Sequence, residues 1–122
     1  MEIMSVAKQI NDRIKRLEEL ASELEKVGDD KADAMRIYAI EFAKAMARLT
    51  RGKLSQIDGE PLPDNMPATV VKEYAKAVCA REMADVEIAT NKYKSLITKI
   101  EALEASLNGK QSIFRHLSHE VK

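Results

Sequence analysis

GKLSQIDGEPLPDNM, residues 52 to 66, followed at once by Pro67, is the one stretch of this chain that must stop being helix. Gly52 and Gly59 loosen the backbone, and Pro61, Pro63 and Pro67 push the residues before them away from the helical region. Both boundaries carry their own chemistry. Arg48, Arg51 and Lys53 sit in or just beyond the last turn before the loop, where positive charge meets free carbonyls at the negative end of a helix. Asp64 or Asn65 is expected to cap the following helix, with Pro67 in its first turn, where a missing N–H costs nothing. Leu54, Ile57 and Leu62 are expected to fold back over the end of a helix pair; the other reading makes them a solvent-facing hook for a partner.

Outward from the loop lie two helical arms, residues 1–51 and 67–122, in one domain. In the first, Ile3, Val6, Ile10, Leu17, Leu20, Leu24 and Val27 keep the 3-4 spacing of a heptad seam, with Arg13 at one seam position. Continuing that frame would seat Lys31 and Glu41. A slip of four residues at Val27 to Asp30 seats Met35, Tyr38, Phe42, Ala45 and Leu49 instead. The spacing predicts a continuous helix weakened at Gly28; the alternative ends one helix there and caps another with Asp29 or Asp30. In the second arm Tyr93, Leu96, Ile100, Leu103, Leu107, Phe114, Leu117 and Val121 share a frame, with Lys110 the exception. Upstream, Val71, Ala75, Val78, Cys79, Met83, Val86 and Ala89 are looser and smaller. Asn108-Gly109 either ends the helix or is tolerated within it at about 1 kcal/mol.

Folding the arms antiparallel about the loop sets residue i near residue 119 minus i. Ala32, Ala34, Ala39, Ala43, Ala45 and Ala47 then fall beside Ala75, Ala77, Ala80 and Ala84, which predicts close helix approach near the loop. Acidic residues 18 to 30 fall opposite Lys92, Lys94 and Lys99. The expected fold is therefore all-α, a long antiparallel two-helix hairpin of coiled-coil type. Such a hairpin has no true interior. Ile14, Ile37, Ile40, Met46, Ile88 and Ile97 widen the apolar stripe, so self-association into a homodimer or larger helical bundle is expected.

Composition narrows the function classes. At 122 residues, with 45% hydrophobic and 33% charged side chains, the chain is neither disordered nor membrane-spanning by composition. MEIMSVAKQI lacks the basic-then-apolar order of a signal peptide, and a cytoplasmic protein with no membrane partner is the default expectation. Cys79, the single cysteine, forms no internal disulfide. Twenty basic residues balance twenty acidic ones, so no global field draws the chain to nucleic acid.

No phosphate-binding glycine motif, nucleophile elbow or HExxH pattern occurs, and no enzyme activity, cofactor or metal is expected. His116, His119 and Glu120 share a helical face, but residues so near a helix end read as exposed rather than as metal ligands. Cys79, Met35, Met46 and Met83 read as core filler. Lys44, Arg48, Arg51, Lys53, Lys72, Lys76 and Arg81 form a basic collar around the loop that could hold phosphates or a partner; a solvated surface is the plainer reading. Asp58, Glu60 and Asp64 give the loop an acidic tip, as in hairpin factors that enter the secondary channel of bacterial RNA polymerase, though here no globular anchor follows. Prefoldin subunits also join two long helices, but through β-hairpins, and the prolines and missing alternation of GKLSQIDGEPLPDN argue against strands here.

YKSLITKIEALEASLNGKQSIFRHL, residues 93–117, resembles the C-terminal part of small helical coiled-coil proteins of bacteriophage and prophage early regions. The resemblance implies a phage accessory protein in a host cytoplasm and assigns no residue a role. The expected function is that of a non-enzymatic coiled-coil interaction or assembly protein, its core formed by Ile3, Val6, Ile10, Leu17, Leu20, Leu24, Phe42, Leu49, Tyr93, Ile100, Leu103, Leu107 and Phe114. The alternatives are a nucleic-acid-associated accessory factor in phage DNA metabolism and a small inhibitor that binds and blocks a host protein.

Overall fold

A computed structural model describes residues 2–121, and the side chain of Val121, expected in the tail frame, lies outside the described residues. The chain is mostly helical: α1 spans Ile3–Thr50, β1 Gln56–Ile57, β2 Glu60–Pro61, α2 Ala68–Val78 and α3 Ala80–Val121. The two long helices pack together. By its contacts the chain divides into two units, Met1–Gly28 with Asn91–Lys122, and Asp29–Thr90.

The first arm is continuous, as its spacing predicts. Gly28 lies inside α1, and a Cβ added there would stand 3.4 Å from Tyr93 Cε2, so the glycine sits against an aromatic ring. In the second arm the tolerated reading of Asn108-Gly109 holds, and the helix is interrupted elsewhere. Asn108 and Gly109 stay within α3, and the irregularity falls at Cys79, with φ −99 and ψ 21. Val71, Ala75 and Cys79 are four apart, a spacing that drifts about 40° per step around an ideal helix. The single irregular residue lies where the spacing returns to three and four. Cys79 N–H still donates to Ala75 O at 3.1 Å, and Met83 N–H to Cys79 O at 2.9 Å, so little hydrogen bonding is lost.

The loop contains strands that its prolines were expected to forbid. β1 and β2 pair antiparallel, Gln56 with Pro61 and Ile57 with Glu60. Asp58 and Gly59 between them have φ of 49 and 81, the two positive values that a two-residue type I′ turn demands. Asp-Gly is the signal that sequence reading passed over. Antiparallel pairs alternate between bonded and non-bonded positions. With Leu62 N–H donating to Ser55 O at 2.9 Å, Pro61 falls on a non-bonded position, where its missing donor costs nothing.

Both helix ends at the loop close without side-chain caps. Gly52, at φ 69, ends α1 in a Schellman motif: Lys53 N–H donates to Arg48 O at 2.9 Å and Gly52 N–H to Leu49 O at 3.2 Å. Neither Asp64 nor Asn65 caps α2. Pro67 is its N-cap residue and makes no side-chain cap bond; its carbonyl accepts from Val70 and Val71 N–H, each at 3.0 Å. Asn65 instead takes a left-handed turn at φ 54.

In the unit of residues 29–90, Ala45, Leu49, Val71, Ala75 and Cys79 are buried together, and Tyr38, Phe42, Met46, Leu54, Leu62, Met66, Tyr74 and Val78 pack against them. The Tyr38 and Phe42 rings stack with centroids 5.8 Å apart. Leu54 and Leu62 thus fold over the helices as expected, and Ile57 is half-buried. Of the alanines expected at a close approach, Ala45 and Ala75 are buried and Ala34 and Ala47 half-buried; Ala32, Ala39, Ala43, Ala77, Ala80 and Ala84 are exposed. The frame slip also moves. Lys31, Ala34, Tyr38 and Glu41 keep the first frame half-buried, whereas Met35 is 51% exposed, so the slip to Phe42, Ala45 and Leu49 occurs after Tyr38 rather than at Gly28. Lysine and glutamate stems can cover an apolar seam while their charged ends reach water.

In the other unit Val6, Leu20 and Leu96 are buried, and Ile3, Ile10, Leu17, Leu24, Tyr93, Ile100, Leu103, Leu107 and Phe114 are half-buried. Arg13 Nε donates to Ser106 Oγ at 2.8 Å, which gives the seam arginine a partner. Gln9 Oε1 is buried without a hydrogen-bond partner. An unpaired buried acceptor costs about 1–3 kcal/mol. Gln9→Met removes that acceptor while keeping the stem, and is expected to raise stability by about 1 kcal/mol in chemical denaturation; a fall would mean that the amide is satisfied in solution.

Candidate functional site

The end of the 29–90 unit that carries the loop gathers the polar chemistry. The Schellman turn at Gly52 turns the chain off α1, and the hairpin returns it to Pro67. Between them lies a cavity of about 640 Å³. Met46, Leu49, Leu62, Met66 and Val71 give it an apolar floor, and Thr50, Arg51, Ser55, Asp64 and Asn65 supply its polar lining. Arg51 and Asp64 bring opposite charges to that lining.

All seven collar residues, Lys44, Arg48, Arg51, Lys53, Lys72, Lys76 and Arg81, are exposed. Lys44 Nζ lies 3.4 Å from Glu41 Oε1 and Lys76 Nζ 3.3 Å from Glu73 Oε1, both pairs within one helix. Exposed pairs of this kind contribute little. Arg48, Arg51, Lys53, Lys72 and Arg81 join no ion pair among the described residues.

Cys79 belongs to the core beneath this surface. Burial, with the carboxylates of Glu82 and then Glu41 adding to it, pushes its thiol above the ordinary value. A raised folded-state value keeps the thiol protonated, favouring the folded form below the unfolded-state titration and losing that advantage as pH rises toward the folded one. Thiol-directed reagents are therefore expected to modify the native chain far more slowly at pH 8 than the denatured chain, and stability to decline above about pH 9. Equal labelling rates in both states would refute the placement.

His116 Nε2 lies 3.0 Å from Glu120 Oε1 at an exposed position, and His119 is exposed as well. Among the described residues no three His, Cys, Asp or Glu side chains are grouped to hold a metal ion, and no helix is long and apolar enough to cross a membrane. Of the acids at residues 18 to 30, Glu19 and Glu23 pair along their own helix, with Arg16 Nη1 2.9 Å from Glu19 and 3.7 Å from Glu23. Lys92, Lys94 and Lys99, expected to face them, join no ion pair among the described residues.

A second feature of the 29–90 unit escaped the sequence reading. Asp30, Asp33, Glu82 and Asp85 surround Ala34 and Ile37 in a groove of about 140 Å³. Asp30 and Asp33 were visible as an acidic pair on one helical face, but Glu82 and Asp85 join them only through packing.

No family model, curated protein or solved structure matches the chain.

Proposed function

We propose that this chain is a non-enzymatic coiled-coil assembly protein: an antiparallel two-helix hairpin whose open apolar surface pairs with a second copy. The direction of the helices is supported by Arg13 meeting Ser106 while Gly28 meets Tyr93, so that advancing along α1 retreats along α3. The observation that carries the assembly is exposed surface. Met35, Ile37, Ile40 and Ile88 are each at least 40% exposed, more apolar surface than scattered single residues require. Zero formal net charge leaves no long-range repulsion between identical copies. The likeness of residues 93–117 to helical phage proteins supports reading the assembly as a phage accessory factor. Light scattering across a hundredfold range of concentration tests the proposal: a discrete dimer or tetramer is expected, and a strict monomer throughout would sink it.

The collar supports a second reading, a nucleic-acid-associated accessory role, because five of its cations are exposed and free of ion pairs. That role requires binding to DNA that weakens steeply with salt, as counterion release dictates. Binding that is absent at 50 mM salt would remove it. The third reading, a small inhibitor of a host protein, requires a stable stoichiometric complex with that protein.

A further inference from the structure

One face of α1 carries Asp30, Asp33, Ile37, Ile40 and Lys44 at steps of three, four, three and four, a second seam distinct from the one that α1 buries, and Arg51 follows in the turn just past the helix end. Its charge changes along its length: acidic at the start, apolar in the middle, basic at the loop end. Ile37 and Ile40 are 40% and 42% exposed, and the Asp33 and Lys44 side chains 59% and 56% exposed. The stripe is thus open to a partner, and the order acid, apolar, base is complementary to itself when reversed.

We propose that the second copy docks on this stripe, related by a two-fold axis that passes between Tyr38 and Ala39. Asp33 then faces the partner's Lys44, Ile37 faces the partner's Ile40, and each contact occurs twice, as an isologous interface requires. Asp33 and Lys44 are eleven residues apart, about 16 Å along the helix, so each basic end reaches the partner's acidic end while the isoleucines meet between them. The groove formed by Asp30, Asp33, Glu82 and Asp85 receives the incoming lysine. Asp33 and Lys44 now hold only neighbours on their own helix, Arg36 at 2.8 Å and Glu41 at 3.4 Å. Such exposed pairs exchange partners at small cost. This inference rests on the self-association put forward above and specifies its face.

A charge-swap series followed by sedimentation equilibrium tests the face. Asp33→Lys and Lys44→Asp each place like charges together twice and are expected to weaken the dimer by about tenfold or more. The double variant Asp33→Lys/Lys44→Asp restores opposite pairing and is expected to recover the dimer, with helicity by circular dichroism unchanged throughout because both positions are exposed. A monomeric wild-type chain would overturn self-association itself. A wild-type dimer indifferent to either single variant would overturn this face alone, and single variants that weaken it without rescue in the double would overturn the Asp33–Lys44 pairing.

Discussion

Leu20→Asp is expected to lower the thermal midpoint by more than about 10 °C, the largest effect of any single change in the unit of residues 1–28 and 91–122. Leu20 is 3% exposed, beside Val6 at 0% and Leu96 at 8% as the unit's buried positions. A carboxylate there must be desolvated without a cation to meet it, or be protonated against its ordinary titration. Either route costs several kcal/mol. Leu24→Asp, at a half-buried seam position, leaves its carboxylate an exit to water and is expected to cost clearly less. Lys94→Ala, on an exposed face, should stay within about 0.5 kcal/mol of wild type. Circular dichroism melts of the three variants give the ranking. Equal midpoints for Leu20→Asp and Lys94→Ala would show that α1 and α3 do not bury Leu20 in solution.

Leu49→Ala should destabilise the 29–90 unit by about 3 kcal/mol, within the range of buried leucine truncations. Leu49 is 6% exposed and packs in the cluster of Ala45, Val71, Ala75 and Cys79, with Leu54 and Leu62 of the loop closing over that cluster. Ala45 and Ala75 in that cluster are 1% and 0% exposed, leaving little freedom for collapse around a void. Leu49 also lines the 640 Å³ cavity, so its loss removes part of the cavity floor. Urea denaturation should show a lower midpoint at unchanged slope. A loss below about 1 kcal/mol would mean that the loop refills the space, and that its leucines are not held where the helix end places them.

Much of the fold was legible because helix periodicity is a local property. Ile3 to Leu24 mark a buried stripe without reference to any partner, and Gly52 with Pro67 brackets the one long non-helical segment among the described residues. The loop was half legible. Its prolines pointed away from strands, yet Asp58-Gly59 supplies the turn and Pro61 falls where no N–H is needed, a fact that depends on pairing register rather than on residue type. The candidate surfaces were less legible still. The basic collar follows from clustering in sequence, whereas the acidic groove requires Glu82 and Asp85 to be brought beside Asp30 and Asp33.

The amino-acid sequence by itself determined that this protein is helical, where its chain turns and that one side of each arm is apolar. Each of those follows from backbone torsions and from the spacing of residues one helical turn apart. Tertiary structure alone decided that Met35 faces outward while Lys31 and Glu41 lie half-buried, that the second arm tolerates Gly109 and yields at Cys79, and that of the alanines expected at the close approach only Ala45 and Ala75 are buried. Those outcomes depend on what the opposing helix leaves room for. A lysine or glutamate stem and a methionine are nearly equal candidates for a seam until the packing around them is set.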